Sequence, residues 1–204
     1  MNDVDAVAQL VLHERQARDR LWWDAMRDCF APDARIRLSW FQGSGGEFVE
    51  RSERMAHNGD RATHRLGPPV VDVHGNRAIV ELPAVIEVTT TVAGVEAVLS
   101  SFARLLYRVV KRDERWKILR LDPVYERDAL SPSLPGAELR VPPDAVKDHR
   151  RPYRFLTYVL EQRGYGIRQD LFGDDRPEEV AELYEDAYGW LRAGNVRVAE
   201  GETS

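Results

Sequence analysis

Asp19 lies at the edge of an amphipathic, aromatic stretch, ARDRLWWDAMRDCFAPDA at residues 17–34, that carries no proline before Pro32. At roughly 100° per residue, a helical face centred on Trp22 gathers Val11, Met26 and Cys29 and leaves Asp19 about 60° from the centre. Buried there, a carboxylate has a raised pKa and suits proton transfer. Left at the rim, it is solvated or pairs with Arg15 or Arg20. Cys29 shares the apolar face, where a free thiol packs and does not attack. His64 is the second group able to move a proton near neutral pH; its plain alternative is a strand histidine bonded to backbone. His57 ends a short helix and favours its dipole, His74 sits in a turn, and His149 lies in a basic run. None has metal-ligand spacing, so no metal and no cofactor are expected.

Four further side chains could shape a binding site. Tyr107 and Arg104 fall on opposite faces of a strand over 95–111. Tyr107 offers a hydroxyl to a pocket, or packs. Arg104 offers a guanidinium to an acidic substrate, or pairs with Glu81 or Glu87 across the sheet. Trp22 and Trp40 would wall a pocket for a flat, ring-bearing ligand, or belong to the core.

The elements that must hold these groups follow from periodicity and turn residues. Residues 4–30 read as one long helix or two in succession, capped by Asn2 or Asp3 and ended by Ala31-Pro32-Asp33. Residues 35–41 alternate as a half-buried strand. GSGG at 43–46 is a loop without the lysine and context of a phosphate-binding loop, and 47–57 form a short helix with Phe48, Val49, Met55 and Ala56 inward. Strands follow over 62–73, 77–92, 95–111 and 115–122, separated by His74-Gly75-Asn76, Ala93-Gly94 and Asp113-Glu114. Helices first and sheet afterwards is an α+β order, with a strongly curved antiparallel sheet. Residues 131–143 form a Pro-rich linker, and 144–204 a helical extension with helices over 144–163 and 177–193 and a disordered tail.

Composition narrows the function classes. The 204 residues are 43% hydrophobic and 31% charged, enough for a sizeable core in a soluble chain of net charge −5. That balance argues against nucleic acid. No apolar run suits a membrane helix and no leader pattern opens the chain, so a cytoplasmic location is expected. One cysteine excludes an intrachain disulfide framework.

Several pieces recur in order: Asp19 with Trp23-Asp24 (D-x-x-x-W-D), Phe30 to Ala34 (F-A-P-D-A), Glu47 to Val49, and Thr63 to Gly67 (T-H-x-L-G). Gly75 to Ala78, Arg112-Asp113 before Trp116 to Ile118, and Tyr125 to Asp128 follow. Over about residues 5–135 this pattern resembles the SnoaL-like branch of the nuclear-transport-factor-2-like superfamily. The resemblance implies a cone-shaped α+β barrel over 1–130, its sheet wrapped around the long helix and an apolar pocket open at one end. It places Asp19 and His64 at the positions of a dehydratase acid/base pair. Arg18 stands where a tyrosine precedes that aspartate, Leu38 where the first strand supplies another, and Thr89 is the nearest match to a second histidine. The resemblance also implies a homodimer or homotrimer through the open sheet face.

The expected function is a cofactor-independent acid/base enzyme of dehydratase, isomerase or cyclase type acting on a small cyclic or polyketide-like molecule. Asp19 and His64 would be catalytic, and Trp22, Trp40, Tyr107 and Arg104 substrate-binding. The alternatives are a non-catalytic small-molecule-binding or partner-supporting protein, and a structural role like that of a dioxygenase β-subunit.

Overall fold

In the computed structural model, which describes residues 2–195, helix α1 (Asp3–Arg20) begins at Asn2, whose side chain accepts from the Asp5 N–H at 2.8 Å. It ends where Leu21 turns left-handed, at φ 63°. The chain restarts as α2 (Trp23–Asp28), so the 4–30 stretch is two helices and not one continuous face. Strand β1 (Phe30–Arg37) follows directly, then β2 (Gln42–Ser44), which replaces the expected loop. Ser44 caps α3 (Gly45–His57) in a reciprocal capping box with Glu47.

The predicted strand over 62–73 is two strands, β3 (Thr63–Leu66) and β4 (Val70–His74). Pro68 and Pro69 between them have no N–H to give a ladder. Both pair antiparallel with β5 (Arg77–Val92), β4 along its first third and β3 further on. β6 (Val95–Arg112) and β7 (Arg115–Pro132) complete the long meander. β7 runs ten residues beyond the predicted 122 because the exit motif Tyr125 to Asp128 keeps pairing with β6. Register shifts at Phe102/Ala103 and Arg108/Val109 put bulges into this pair, which bend the strands and curve the sheet.

The sheet order is β2-β1-β7-β6-β5-β3, curved and unclosed. It is mixed rather than purely antiparallel: β1 pairs parallel with β7. Beyond β1, the two-residue β8 (Phe172–Gly173) takes the same edge of β7, also parallel.

The C-terminal segment divides between the two sides of the sheet. Only α4 (Arg154–Glu161) is α-helical within the predicted 144–163; Pro143 and Pro152 confine the chain before it to single 3₁₀ turns. Leu156, Val159 and Leu160 pack with Val88, Leu99, Ala103 and Tyr125 on the inner face. Helix α5 (Pro177–Arg192) lies on the outer face, where Leu183, Ala187 and Leu191 bury Ile79, Leu106 and Val124. Part of the outer face that the resemblance offers to a second subunit is therefore covered here by α5, while Phe102, Arg104 and Arg127 stay at least partly exposed. The tail expected to be disordered lies beyond residue 195, outside the described residues. No described helix is long and apolar enough to cross a membrane.

Candidate active site

The buried stripe of α1 starts apolar and ends ionic. Val7 and Val11 continue, at helical spacing, into Glu14, Arg15 and Arg18, all buried. The last turn of α1 faces β3, and there Asp19 meets His64. Asp19 Oδ1 lies 2.6 Å from His64 Nδ1, and Oδ2 accepts the His64 backbone N–H at 2.7 Å. The imidazole is 5% exposed and the carboxylate 18%. Both oxygens of one carboxylate thus hold one residue, fixing the ring and the strand that carries it.

The partners assign the tautomer. A carboxylate on Nδ1 places the proton there, leaving the Nε2 lone pair to accept from Arg15 Nη1 at 3.3 Å. Burial lowers the His64 pKa; Asp19 opposes this, and the positive charges of Arg15 and Arg18 add to it. A neighbouring carboxylate acting alone would raise His64, but here desolvation and two guanidinium groups outweigh it. For Asp19, burial works upward, but the His64 ring, its backbone N–H and Arg15 hold the carboxyl below its ordinary value. At neutral pH the pair is a carboxylate and a neutral imidazole.

Beneath it lies a fully buried ion pair. Arg15 contacts Glu14 through Nε at 2.5 Å and through Nη2, while the Tyr107 hydroxyl donates to Glu14 Oε2 at 3.3 Å. Burial disfavours the Arg15 charge, but Glu14 overcomes this and raises its pKa. Glu14 and Arg15 therefore tie α1 to β6 at Tyr107 and to β3 at His64.

Arg15 and His64 form a partition between two spaces. On one side a cleft of ≈ 350 Å³ is lined by Asp19, Arg20, Thr63 and Arg65. On the other, a mostly apolar cavity of ≈ 70 Å³ lies between α1, the inner sheet face and α4. Arg18, Trp40, Tyr125, Leu156 and Leu160 line it. Tyr125 Oη accepts the Ser39 N–H at 3.2 Å, and burial pushes the phenol up to about 12, so it remains a donor.

The structure brings together Asp19, His64 and Trp40 of the six residues singled out from the sequence. Tyr107 sits behind them, fully buried and outside the cavity wall. Trp22 does not: it is 53% exposed, because the left-handed turn at Leu21 rotates it off the α1 face. Arg104 does not either. It lies on the outer face, 2.6 Å from Glu81 and 2.7 Å from Glu126. Cys29 is packed, its thiol pushed up to about 12 chiefly by burial. Sequence reasoning missed Glu14, Arg18 and Tyr125 as site residues and offered Arg15 only as a partner for a rim Asp19. The available signal was the 7-11-14-18 spacing, which puts two charged residues at core positions of one helix.

A sequence model of the SnoaL-like domain matches residues 1–122. Pea pathogenicity protein 2 of Fusarium vanettenii is 26% identical over 191 residues, covering 89% of this chain and 82% of its own. An uncharacterized protein of Emericella nidulans is 26% identical over 196 residues, with the same coverage of both chains, 89% and 82%. Among solved structures, a candidate scytalone dehydratase from Novosphingobium aromaticivorans superposes with a TM-score of 0.52 at 15% identity. The match covers 66% of this chain and 94% of that one, a likeness of fold.

Proposed function

We propose that this chain, which belongs to the SnoaL-like domain family, is a cofactor-independent acid/base enzyme acting on a small molecule taken up beside His64. The observation that carries this reading is the Asp19–His64 pair, two short hydrogen bonds on one carboxylate in a largely desolvated setting. His64 Nε2 takes a proton from a carbon next to a carbonyl, and Asp19 stabilises the imidazolium that forms. The proton then returns to a different atom. Given to a β-hydroxyl, it leaves as water and the reaction is a dehydration. Given to another carbon, it yields an isomer. Given to the alkoxide formed when the carbanion attacks a second carbonyl, it closes a ring.

The inner cavity of ≈ 70 Å³ has room for a few heavy atoms, about the share of two waters. The cleft of ≈ 350 Å³ on the Asp19 side of His64 has room for a cyclic molecule as it stands, whereas the inner cavity would have to widen between α4 and Trp40 to take one. One contact favours the second reading, a binding protein without turnover: Arg15 Nη1 occupies the Nε2 lone pair.

Deuterium exchange separates the two readings without knowledge of the substrate. Exchange at the carbons beside the carbonyl of cyclohexanone or 2-tetralone in D₂O, followed by NMR, reads proton abstraction directly. The enzyme reading expects catalysed exchange that falls by about 10²–10⁴-fold in His64→Gln, the usual contribution of a general base. Equal exchange with wild type and His64→Gln would leave the binding reading.

A further inference from the structure

We infer that Arg18 is an anion subsite, and that the ligand of the inner cavity carries a carboxylate. The residue is 7% exposed and lines the cavity. Among the described residues its guanidinium makes no hydrogen bond and no ion pair. Trp40 and Phe48 lie 5.9 Å from its Cζ and supply cation–π attraction but no acceptor oxygen.

Its neighbours underline the contrast. Arg15, one turn earlier on α1, is ion-paired with Glu14. Asp19 spends both oxygens on His64. Burial and the like charge of Arg15 push Arg18 down to about 10, which still leaves it protonated at neutral pH. A buried, unpartnered cation is costly to the folded chain. The sequence nevertheless places it at a core position of α1, against a cavity whose other walls are mainly Leu38, Ile86, Val88 and Leu105.

A carboxylate fits this setting. Its two coplanar oxygens match the parallel N–H fork of a guanidinium, and its single charge balances one arginine. A phosphate dianion would need a second free cation, and Arg15 is already neutralised. Tyr125, with its oxygen accepting from Ser39, has its own O–H to donate to the same anion. This deepens the acid/base reading, on which it rests for turnover but not for binding: the substrate enters as a carboxylate salt.

The test uses propionate and benzoate, with propionamide and benzamide as uncharged isosteres, added to the full chain. Binding is followed by the Arg18 Nε–Hε NMR resonance and by melting temperature. The expected result is saturable binding of an acid and not of its amide. Arg18→Met should weaken binding by about ten- to a hundredfold, the range for a charge-assisted hydrogen bond, and Arg18→Lys should retain part of it. Arg18→Met without ligand should melt no lower than wild type. Binding of the acids is read without turnover, so absence of catalysed deuterium exchange would leave this result standing. Equal binding of acid and amide, no binding of either, undiminished binding by Arg18→Met, or a markedly lower melting point of that variant would each overturn the inference.

Discussion

On the outer face of β5, β6 and β7, most charged and phenolic groups near α5 are matched. Arg104 bridges Glu81 and Glu126, Arg108 meets Asp186, and the Tyr184 and Tyr188 hydroxyls reach Glu81 and Asp72. Where α1 packs against the inner side of the sheet, polar groups are fewer and unevenly matched. Glu14 and Arg15 are fully paired in the core, Asp19 is doubly engaged by His64, and Arg18 has no partner among the described residues. The outer arrangement is what a docked helix needs: apolar contact from Leu183, Ala187 and Leu191 with a rim of ion pairs. The inner one is poor as stabilisation and good as a site. It keeps one neutral base and one cation facing a cavity, at the expense of desolvating them.

That contrast predicts where substitutions will hurt. The largest stability loss is expected inside, at Glu14→Gln, which strands Arg15 next to Arg18 in the core; removal of one partner of a buried pair costs on the order of 3–5 kcal/mol. Chemical denaturation would measure it, and a loss under about 1 kcal/mol would mean water already reaches the pair. Next comes Leu183→Ala on α5, at about 2–5 kcal/mol for a buried leucine. It should lower the melting temperature while leaving binding in the inner cavity intact, and a loss of binding there would break the separation of the two faces. Smallest is Arg104→Ala. Its guanidinium is 44% exposed, so the expected loss is about 0.2–1 kcal/mol, with no effect on ligand binding.

The long strands, the helix over 177–192 and the identity of Asp19 and His64 as facing groups were legible because each rests on local signals or on an ordered set of motifs. Alternation on β6 put Tyr107 and Arg104 on opposite faces but did not say which one turns inward, so both were offered to a substrate. The pocket was less legible. Centring the α1 face on Trp22 presumed an unbroken helix, and a leucine at φ 63° carries no sequence mark as a glycine would. Arg18 and Glu14 were passed over because charged residues are rarely buried. Tyr125 was noted as part of an exit motif, but only the extra length of β7 carries it into the cavity wall. The position of α4 over the cavity depends on Val88, Leu99 and Ala103, more than 50 residues away in sequence, which no local pattern encodes.

The protonation state of His64 tests the account most directly. Its lowered pKa means the folded chain favours neutral imidazole. The associated stability is full above the ordinary histidine value and is lost as pH falls through the folded one. A ¹⁵N-resolved NMR titration of the ring in wild type and Asp19→Asn reads tautomer and pKa together. The account predicts a neutral ring protonated on Nδ1 at pH 7, titrating below the ordinary value of about 6.5, and titrating lower still once the Asp19 charge is removed. A ring protonated on Nε2, a pKa above the ordinary value, or one that does not move in Asp19→Asn would contradict it.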